Sequence, residues 1–244
     1  MLNSDHLKFI FNSNSNNNQI ESINPKKNID YNVLILGNFG VGKTTLYNVL
    51  NKINTRYEYK DYILNNSRVK DYVGLDIEQA LNYDDMVKPD FTWNGTTMPF
   101  ENESFDCVIA TEVLEHCAQP EKFLMEVNRV LVKNGTLFFT VPFLWNLHEA
   151  PHDEYRYTPF SLERHLNNSG FSDIRIKATG GWHASMAQML GLWVKRSPLS
   201  IIKKRYLSFL VKPIIKYLLK IEQKEKIMLS EGQMITGLYG VAKK

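Results

Sequence analysis

The sequence predicts an α/β protein with a mostly parallel sheet of seven strands and helices on both faces. Three observations support this prediction. Short apolar segments rich in β-branched residues alternate along the chain with segments of helical spacing, and such alternation is typical of βαβ units. The first apolar segment ends in a glycine-rich turn, as expected of a buried parallel strand that leads into a helix. A last apolar segment follows a long helical region near the end of the chain.

The periodicity assigns each element in order. The predicted strands cover residues 31–37, 71–77, 88–93, 106–113, 135–142, 172–178 and 232–242. The predicted helical segments cover residues 43–53, 120–131, 159–168 and 184–228. We therefore expect three parts: a flexible Asn/Ser-rich arm (1–30), an α/β domain (31–183 with 232–244) and a helical basic cap inserted before the last strand (184–231).

The composition is that of a globular protein. Of 244 residues, 43% are hydrophobic and 23% are charged, which excludes a wholly disordered chain. Two cysteines, Cys107 and Cys117, are too few for a disulfide framework and suit a reducing compartment, so we expect a cytoplasmic protein. We recognise no secretory signal and no run of about 18 apolar residues, and therefore expect no membrane-spanning helix.

The glycine-rich turn and one acidic residue indicate a cofactor cleft. Open parallel sheets bind ligands at the carboxyl ends of their strands. Residues 37–42 read GNFGVG, and glycines there let a ligand approach the backbone before a helix begins. Asp76 stands at the end of the second strand, where an acidic side chain accepts hydrogen bonds from ribose hydroxyls in nucleoside-binding folds.

The most specific pattern lies in residues 94–116, which read NGTTMPFENESFDCVIATEVLEH. This segment resembles the small-molecule branch of class I S-adenosylmethionine-dependent methyltransferases, which has Pro-Phe, then Ser-Phe-Asp, a strand and Glu-Val-Leu-Glu-His. Residues 148–171 resemble a subgroup tied to cell-surface glycan synthesis. The resemblance covers residues 70–185 and the last strand. It implies a Rossmann-like fold with an antiparallel last strand, and methyl transfer from S-adenosylmethionine to a small-molecule, glycan or lipid-linked acceptor.

The resemblance also implies roles for individual residues. The implied cofactor contacts come from the glycine turn and from the ends of the next three strands: Gly37, Gly40, Gly42, Asp76, Ile77, Asn94 and Thr111. The glycines would line the methionine end of the cofactor and Asp76 would hold the ribose. Ile77 would lie against the adenine, and Asn94 would accept from the adenine amine through its amide oxygen. Glu112 and His116 are the candidate catalytic residues, His116 as a general base because imidazole titrates near neutrality.

Two alternatives arise from the same glycines. Residues 37–44 satisfy the phosphate-loop pattern G-x-x-x-x-G-K-S/T, with Lys43 as the phosphate ligand. Such an enzyme needs a magnesium ligand, which Asp76 could supply, but we find no nucleotide-base motif. Ile35 stands where the methyltransferase family usually has an acidic residue. A P-loop nucleotide-binding protein and a non-catalytic binding protein of the methyltransferase fold are therefore kept as alternatives to the preferred methyltransferase.

The loop after the fifth predicted strand is rich in polar residues. Its candidate substrate ligands are His148, His152, Asp153, Tyr155 and Arg156. These side-chain types suit sugar hydroxyls or a phosphate, and the alternative for Arg156 is a structural ion pair. The two histidines and the aspartate fall within six positions, which could suggest a metal site. However, Pro151 interrupts them and no helix would set their geometry, so we expect no metal.

The last feature is the basic segment before the final strand. Residues 195–227 contain ten Lys or Arg and two Glu, although the net charge of the whole chain is only +3. We expect Pro213 to break any single long helix in this segment. Residues 199–220 fit either a pair of cap helices with solvated lysines, which we prefer, or peripheral contact with an anionic membrane. No recognisable nucleic-acid module accompanies the charge, so we expect no nucleic-acid partner.

Overall fold

The computed structural model describes residues 31–36, 69–77, 89–222 and 227–244. The predicted arm over residues 1–30, the glycine turn and the predicted helix over residues 43–53 lie outside the described residues. The described residues confirm a Rossmann-like α/β fold in which helices accompany a mixed sheet.

The sheet contains strands of both orientations. Its strands are β1 (Tyr31–Leu36), β2 (Val69–Ile77), β3 (Phe91–Trp93), β4 (Phe105–Thr111), β5 (Leu131–Pro142), β6 (Ser172–Ala178) and β7 (Gly237–Lys243). They lie in the order β3-β2-β1-β4-β5-β7-β6. Neighbours among β1 to β5 pair in parallel, whereas β7 runs antiparallel to both β5 and β6. The mostly parallel character that we predicted is therefore confined to the β3-to-β5 side, and the strand order reverses between β1 and β4.

Four helices are described, together with one 3-10 turn at Leu114–His116. The helices are α1 (Pro120–Val130), α2 (Pro159–Asn168), α3 (Trp182–Arg196) and α4 (Ile201–Ile221). Pro120 begins α1 at a position where no backbone N–H is needed. Thr158 caps α2, because its hydroxyl accepts from the backbone N–H of Ser161 at 3.2 Å. No helix in the described part of the chain is long and apolar enough to cross a membrane.

The basic segment differs from its prediction in two ways. The helical region divides between α3 and α4, and residues 227–230 are not helical. The prediction that Pro213 breaks the helix was wrong, because α4 continues through it. Proline removes one hydrogen bond to the carbonyl one turn earlier. Pro213 and Phe209 both lie on the exposed side of α4, where water can satisfy that carbonyl.

The main hydrophobic core lies where the sheet packs against α1 and α2. Its central side chains come from β1, β4, β5 and α1, among them Leu34, Val108, Leu124, Val127 and Phe139. Consecutive residues of β4 from Cys107 to Ala110 are buried, so both faces of this strand are covered. A second, small cluster lies apart from this core, between α3 and α4.

Candidate active site

The parallel strands place the predicted cofactor residues at one edge of the sheet. Leu36, the last residue of β1, pairs with Leu75 of β2 and with Ala110 of β4. Asp76 and Thr111 follow these partners by one position, so both lie at the carboxyl edge beside the reversal of strand order. Open α/β sheets bind their ligands at this place.

Asp76 and Ile77 occupy the end of β2. The Asp76 side chain is buried, and one of its oxygens accepts from the backbone N–H of Ile77 at 2.8 Å. The Ile77 side chain is exposed. A carboxylate oriented in this way can accept hydrogen bonds from a ribose, and the isoleucine offers an apolar surface beside it. The residues at this edge therefore fit a nucleoside-containing cofactor.

Asn94 closes a turn after β3. Its Oδ1 accepts from the backbone N–H groups of Thr96 (2.9 Å) and Thr97 (3.3 Å), while Gly95 adopts a φ of +80°. Asparagine favours this kind of turn because its side chain mimics a backbone carbonyl. The oxygen assigned by resemblance to the adenine amine thus already has two backbone donors. The Asn-Gly pair is a turn signal from which this second role could have been predicted.

Glu112 turns the chain away from the sheet. The strand β4 ends at Thr111, two residues earlier than predicted, because Glu112 has a φ of 57°. Its backbone N–H donates to the carbonyl of Thr140 (2.9 Å), and its Oε1 accepts from the Thr140 hydroxyl (3.1 Å). A non-glycine residue in this region costs about 1–2 kcal/mol, and such residues concentrate at functional sites.

The turn at Leu114–His116 and the loop of residues 148–157 dock against each other. The buried Tyr157 hydroxyl donates to the carbonyl of Leu114 at 3.0 Å. The carbonyl of Glu115 accepts from the backbone N–H groups of Glu154 (2.9 Å) and Tyr155 (3.0 Å). The two segments that carry the resemblance, far apart in sequence, therefore form one surface above the carboxyl ends of β4 and β5.

An ion-pair network holds the 148–157 loop together. Arg156 donates to both oxygens of Asp153, at 2.6 and 2.9 Å. The backbone N–H of His148 donates to Asp153 at 3.0 Å, and the Nδ1 of its ring lies 3.2 Å from the same oxygen. Burial would raise the pKa of Asp153. The hydrogen bonds from Arg156 and from the His148 backbone, with the charges of both residues, outweigh burial and lower this pKa to about 2.

Arg156 has the structural role that we considered as its alternative. Besides Asp153, its guanidinium donates to the carbonyls of Tyr155 (2.8 Å) and Asn146 (3.3 Å). These bonds use both terminal nitrogens of the side chain. The geometry therefore favours an internal ion pair over the substrate-binding role that we predicted for Arg156, because its donors are directed at the loop itself.

His116 faces two carboxylates. Its Nδ1 donates to the carbonyl of His152 at 2.9 Å, because a carbonyl can only accept. Its Nε2 lies 3.4 Å from Glu149 and 3.7 Å from Glu115. The His148 ring packs edge-on against it, with centroids 4.9 Å apart. The nitrogen that would act as a general base thus points at acidic side chains, and sequence reasoning did not identify Glu115 or Glu149.

Two predicted substrate ligands lie at the surface. His152 is exposed, and so is Tyr155, whose ring stacks on Tyr157 with centroids 5.3 Å apart. The Tyr155 hydroxyl donates to the carbonyl of Ala118 at 3.3 Å. The nearby Cys117 is no nucleophile, because burial and then the charge of Glu115 raise the pKa of its thiol to about 12.

The predicted contacts from the glycine turn cannot be placed in this geometry. Gly37, Gly40 and Gly42 lie outside the described residues, as does Lys43 of the P-loop alternative. The strand that precedes the turn is described, and it ends at Leu36 beside Asp76 and Thr111.

Comparison with known proteins matches part of the chain to a methyltransferase domain. Residues 60–139 match a family model described as a methyltransferase domain. The fold is similar to that of an S-adenosylmethionine-dependent methyltransferase from Archaeoglobus fulgidus, at 14% identity and a TM-score of 0.50, with 88% of this chain and 86% of that chain covered. A Thermotoga maritima structure, described as a possible histamine N-methyltransferase, has the same identity and TM-score, with 88% of this chain and 82% of that chain covered. No curated protein sequence matches the chain.

The matched segment includes β2, β3, β4 and the turn after β4, which supply Asp76, Asn94, Thr111, Glu112 and His116. The matched model is a methyltransferase domain, the activity that we preferred from the sequence. The methyltransferase-domain match supports an enzyme, a methyltransferase that uses S-adenosylmethionine, and the two solved structures show that the chain shares the methyltransferase fold.

Proposed function

We propose that this methyltransferase modifies a glycan or lipid-linked acceptor at the surface of an anionic membrane. The observation that carries the proposal is the outward face of α4. It is apolar and aromatic, it is flanked by lysines, and it belongs to a helix pair attached to the carboxyl edge of the sheet.

The outward face of α4 has the pattern of an interfacial helix. Its side chains recur every three or four residues, which places them on one side of the helix: Ile202, Tyr206, Phe209, Pro213 and Tyr217. Of these, Ile202 is 82% exposed and Phe209 is 77% exposed. Residues 201–221 also contain six Lys or Arg and no acidic residue. Each such cation near an anionic lipid surface is worth about 1 kcal/mol.

The inward face of α4 is already occupied by α3. Val211 and Ile215 are the buried residues of α4, and they pack with Ala187 of α3. Glu222, directly after α4, accepts from the backbone N–H groups of Gly181 and Ala184 at the start of α3. These contacts make α3 and α4 an antiparallel pair, so that the apolar face of α4 opposite the pair interface is directed outward.

The helix pair is attached beside the candidate active site. Because β5 and β6 both run antiparallel to β7, they run parallel to each other and end at the same edge. The pair begins at Trp182, shortly after β6 ends there. The side-chain amide of Gln188 in α3 donates to the carbonyl of Leu144, at the base of the loop after β5. A membrane against α4 would thus lie close to the loop that carries Tyr155 and His152.

At the other side of the edge, we assign the cofactor to Asp76, Ile77, Asn94 and Thr111, with the glycine turn as its methionine side. S-adenosylmethionine would supply a methyl group on a positively charged sulfur. An acceptor nucleophile would take it in line as the carbon–sulfur bond breaks, with S-adenosylhomocysteine as the leaving product and the acceptor's proton released to water. Glu112 follows Thr111 and leads into the turn at Leu114–His116, which docks against the 148–157 loop. Since the Nε2 of His116 is directed at carboxylates, positioning of the two reactants supplies much of the rate in this proposal.

Replacement of Asp76 tests the cofactor assignment. We expect Asp76→Ala to weaken S-adenosylhomocysteine binding by about 1.5–3 kcal/mol, because charge-assisted hydrogen bonds to the ribose are lost. Asp71, an exposed residue near the opposite end of β2, provides the matched control Asp71→Ala. Calorimetry measures both affinities. Equal affinities of the two variants would remove Asp76 from the site.

Vesicle binding tests the membrane assignment. We expect the protein to co-sediment with phosphatidylglycerol vesicles and not with phosphatidylcholine vesicles. The substitution Phe209→Ser should weaken this binding about tenfold, the effect of one aromatic side chain withdrawn from an apolar phase. Phe160 of α2 is 67% exposed and lies outside the α3–α4 pair, so Phe160→Ser is the matched control and should bind like wild type.

The same variants distinguish the cap from the membrane anchor. If α4 only caps the active site, vesicle binding will be absent and Phe209→Ser will change the Michaelis constant of a soluble acceptor. If the proposal is correct, methyl transfer to a polyprenyl-linked sugar in anionic vesicles will exceed transfer to the free sugar. The Phe209→Ser variant will then lose this advantage.

A further inference from the structure

A group of histidine and glutamate side chains lies where the turn at Leu114–His116 meets the start of the 148–157 loop. Glu115 and His116 come from the turn after β4, and His148 and Glu149 come from the segment after β5. One ligand atom from each of Glu115, His116 and His148 lies within 4.8 Å of the others. The Oε2 of Glu149 lies 3.4 Å from the Nε2 of His116. The docking of the two segments thus brings three possible metal ligands together, with Glu149 beside one of them.

Both imidazoles are oriented by oxygen acceptors at Nδ1. His116 donates its Nδ1 hydrogen to the carbonyl of His152, which makes Nε2 the nitrogen that carries the lone pair in the neutral ring. His148 has its Nδ1 at 3.2 Å from Asp153, whose carboxylate is ionised in its pair with Arg156. Arg156 itself approaches the same nitrogen only to 3.5 Å, which is long for a hydrogen bond. Histidines that bind metals almost always donate their other ring N–H to a carboxylate or a backbone carbonyl.

The charges at this place also suit a cation. The Glu115 side chain is fully buried and the Glu149 side chain is 10% exposed, and both lie within 4 Å of the same histidine nitrogen. Burial of a carboxylate is costly unless it is paired, hydrogen-bonded or bound to a metal. A divalent cation placed near this nitrogen would be attracted by both carboxylates.

We infer that Glu115, His116, His148 and Glu149 form a binding site for one divalent ion of the zinc class. Two imidazole nitrogens and carboxylate oxygens form a donor set that Zn²⁺ accepts in proteins. In this assignment, Asp153 and Arg156 are positioning residues that fix the ring of His148. The site goes beyond the proposed function, because it does not depend on the identity of the acceptor. It also differs from the metal set that the loop sequence suggested, with which it shares only His148.

Metal titration of the full chain tests the inference. After treatment with a chelator and dialysis, the protein should bind one equivalent of Zn²⁺ in calorimetry and give a visible absorption spectrum with Co²⁺. We expect His116→Ala and His148→Ala to weaken Zn²⁺ binding by more than about 100-fold, beyond the effect expected of an outer partner. His165 lies in α2, paired with Glu121, and His165→Ala should bind Zn²⁺ like wild type.

A stability readout guards against variants that fail to fold. Zn²⁺ should raise the unfolding midpoint of wild type and of His165→Ala, because a ligand stabilises the state that binds it. It should not raise the midpoint of Glu149→Gln, a conservative change at a partly exposed position. The inference is overturned if wild type binds no Zn²⁺, or if Glu149→Gln and both histidine variants bind it like wild type. Cofactor affinity is measured separately, so failure of the metal site leaves the proposed function standing.

Discussion

Two regions border the carboxyl edge of the sheet, and they differ in whether their side chains are paired within the protein or exposed at its surface. The 148–157 loop is polar, yet its charged groups are bound to one another and to the turn at Leu114–His116. The helix α4 is largely apolar, yet most of its large side chains are exposed. Within the loop, Asp153 and Arg156 already satisfy each other's charge. An apolar helix face that large and exposed indicates a surface for interaction with a partner or a membrane.

This contrast predicts that the paired charges of the loop contribute more to the free energy of unfolding than exposed charges do. Removal of Arg156 would leave the Asp153 carboxylate, which is 4% exposed, without its main partner. Because an unpaired buried charge is costly, we expect Arg156→Ala to lower the free energy of unfolding by about 3 kcal/mol, measured with urea. The matched control is Arg175→Ala in β6, where arginine and Asp173 form a pair of 40% and 58% exposure. This control should lose at most about 1 kcal/mol. If both variants lost the same free energy of unfolding, the loop network would contribute no more to stability than an exposed surface ion pair.

The contribution of the same ion-pair network can be measured from the loss of unfolding free energy at acid pH. The pKa of Asp153 is lowered from 3.8 to about 2 in the folded protein. A carboxyl group with a lowered pKa contributes stability above its unfolded value, and this contribution is lost as the pH falls through its folded value. We therefore expect wild type to lose about 2 kcal/mol more than Asp153→Asn between pH 4 and pH 2. Parallel pH profiles of the two proteins would contradict this assignment.

The smallest expected effect on stability belongs to α4. Because the Phe209 side chain is 77% exposed, Phe209→Ser should change the free energy of unfolding by no more than about 0.5 kcal/mol. The buried Ile215 gives the contrast, since Ile215→Ala should cost about 2 kcal/mol. Thermal unfolding of both variants measures the difference. A large loss in Phe209→Ser would show that the outward face packs within the protein, and would weaken the comparison.

Much of the fold could be predicted from local sequence. Helix α2 and strand β6 have the predicted bounds, and α1 differs by one residue, because periodicity, Pro120 and Gly170 mark them directly. Other bounds were wrong where a single backbone conformation decides them. The last strand begins at Gly237 instead of residue 232, since Gly232 lies in a turn with a φ of +79°. Strand β5 begins earlier than predicted, at Leu131, with an irregular register before Thr136.

The candidate site was predictable in part. The positions of Asp76 and Thr111 at the carboxyl edge follow from strand pattern alone, because parallel strands share their direction. The partners of His116 do not follow from the strand pattern, since His152 and Glu149 approach it only after the 148–157 loop folds back. The role of Arg156 changed for the same reason, because an isolated sequence does not show which acceptors a guanidinium will meet.

By itself, the sequence determined the alternation of strands and helices, the methyltransferase resemblance and the basic, apolar character of α4. These properties depend on neighbours along the chain, through side-chain period and local hydrogen bonding. Only the tertiary structure decided which polar groups pair with one another, which face of α4 is left exposed and which histidine and glutamate side chains lie close together beside the turn after β4. These properties depend on distances between residues far apart in sequence, and such distances exist only once the turn after β4 and the loop after β5 have docked.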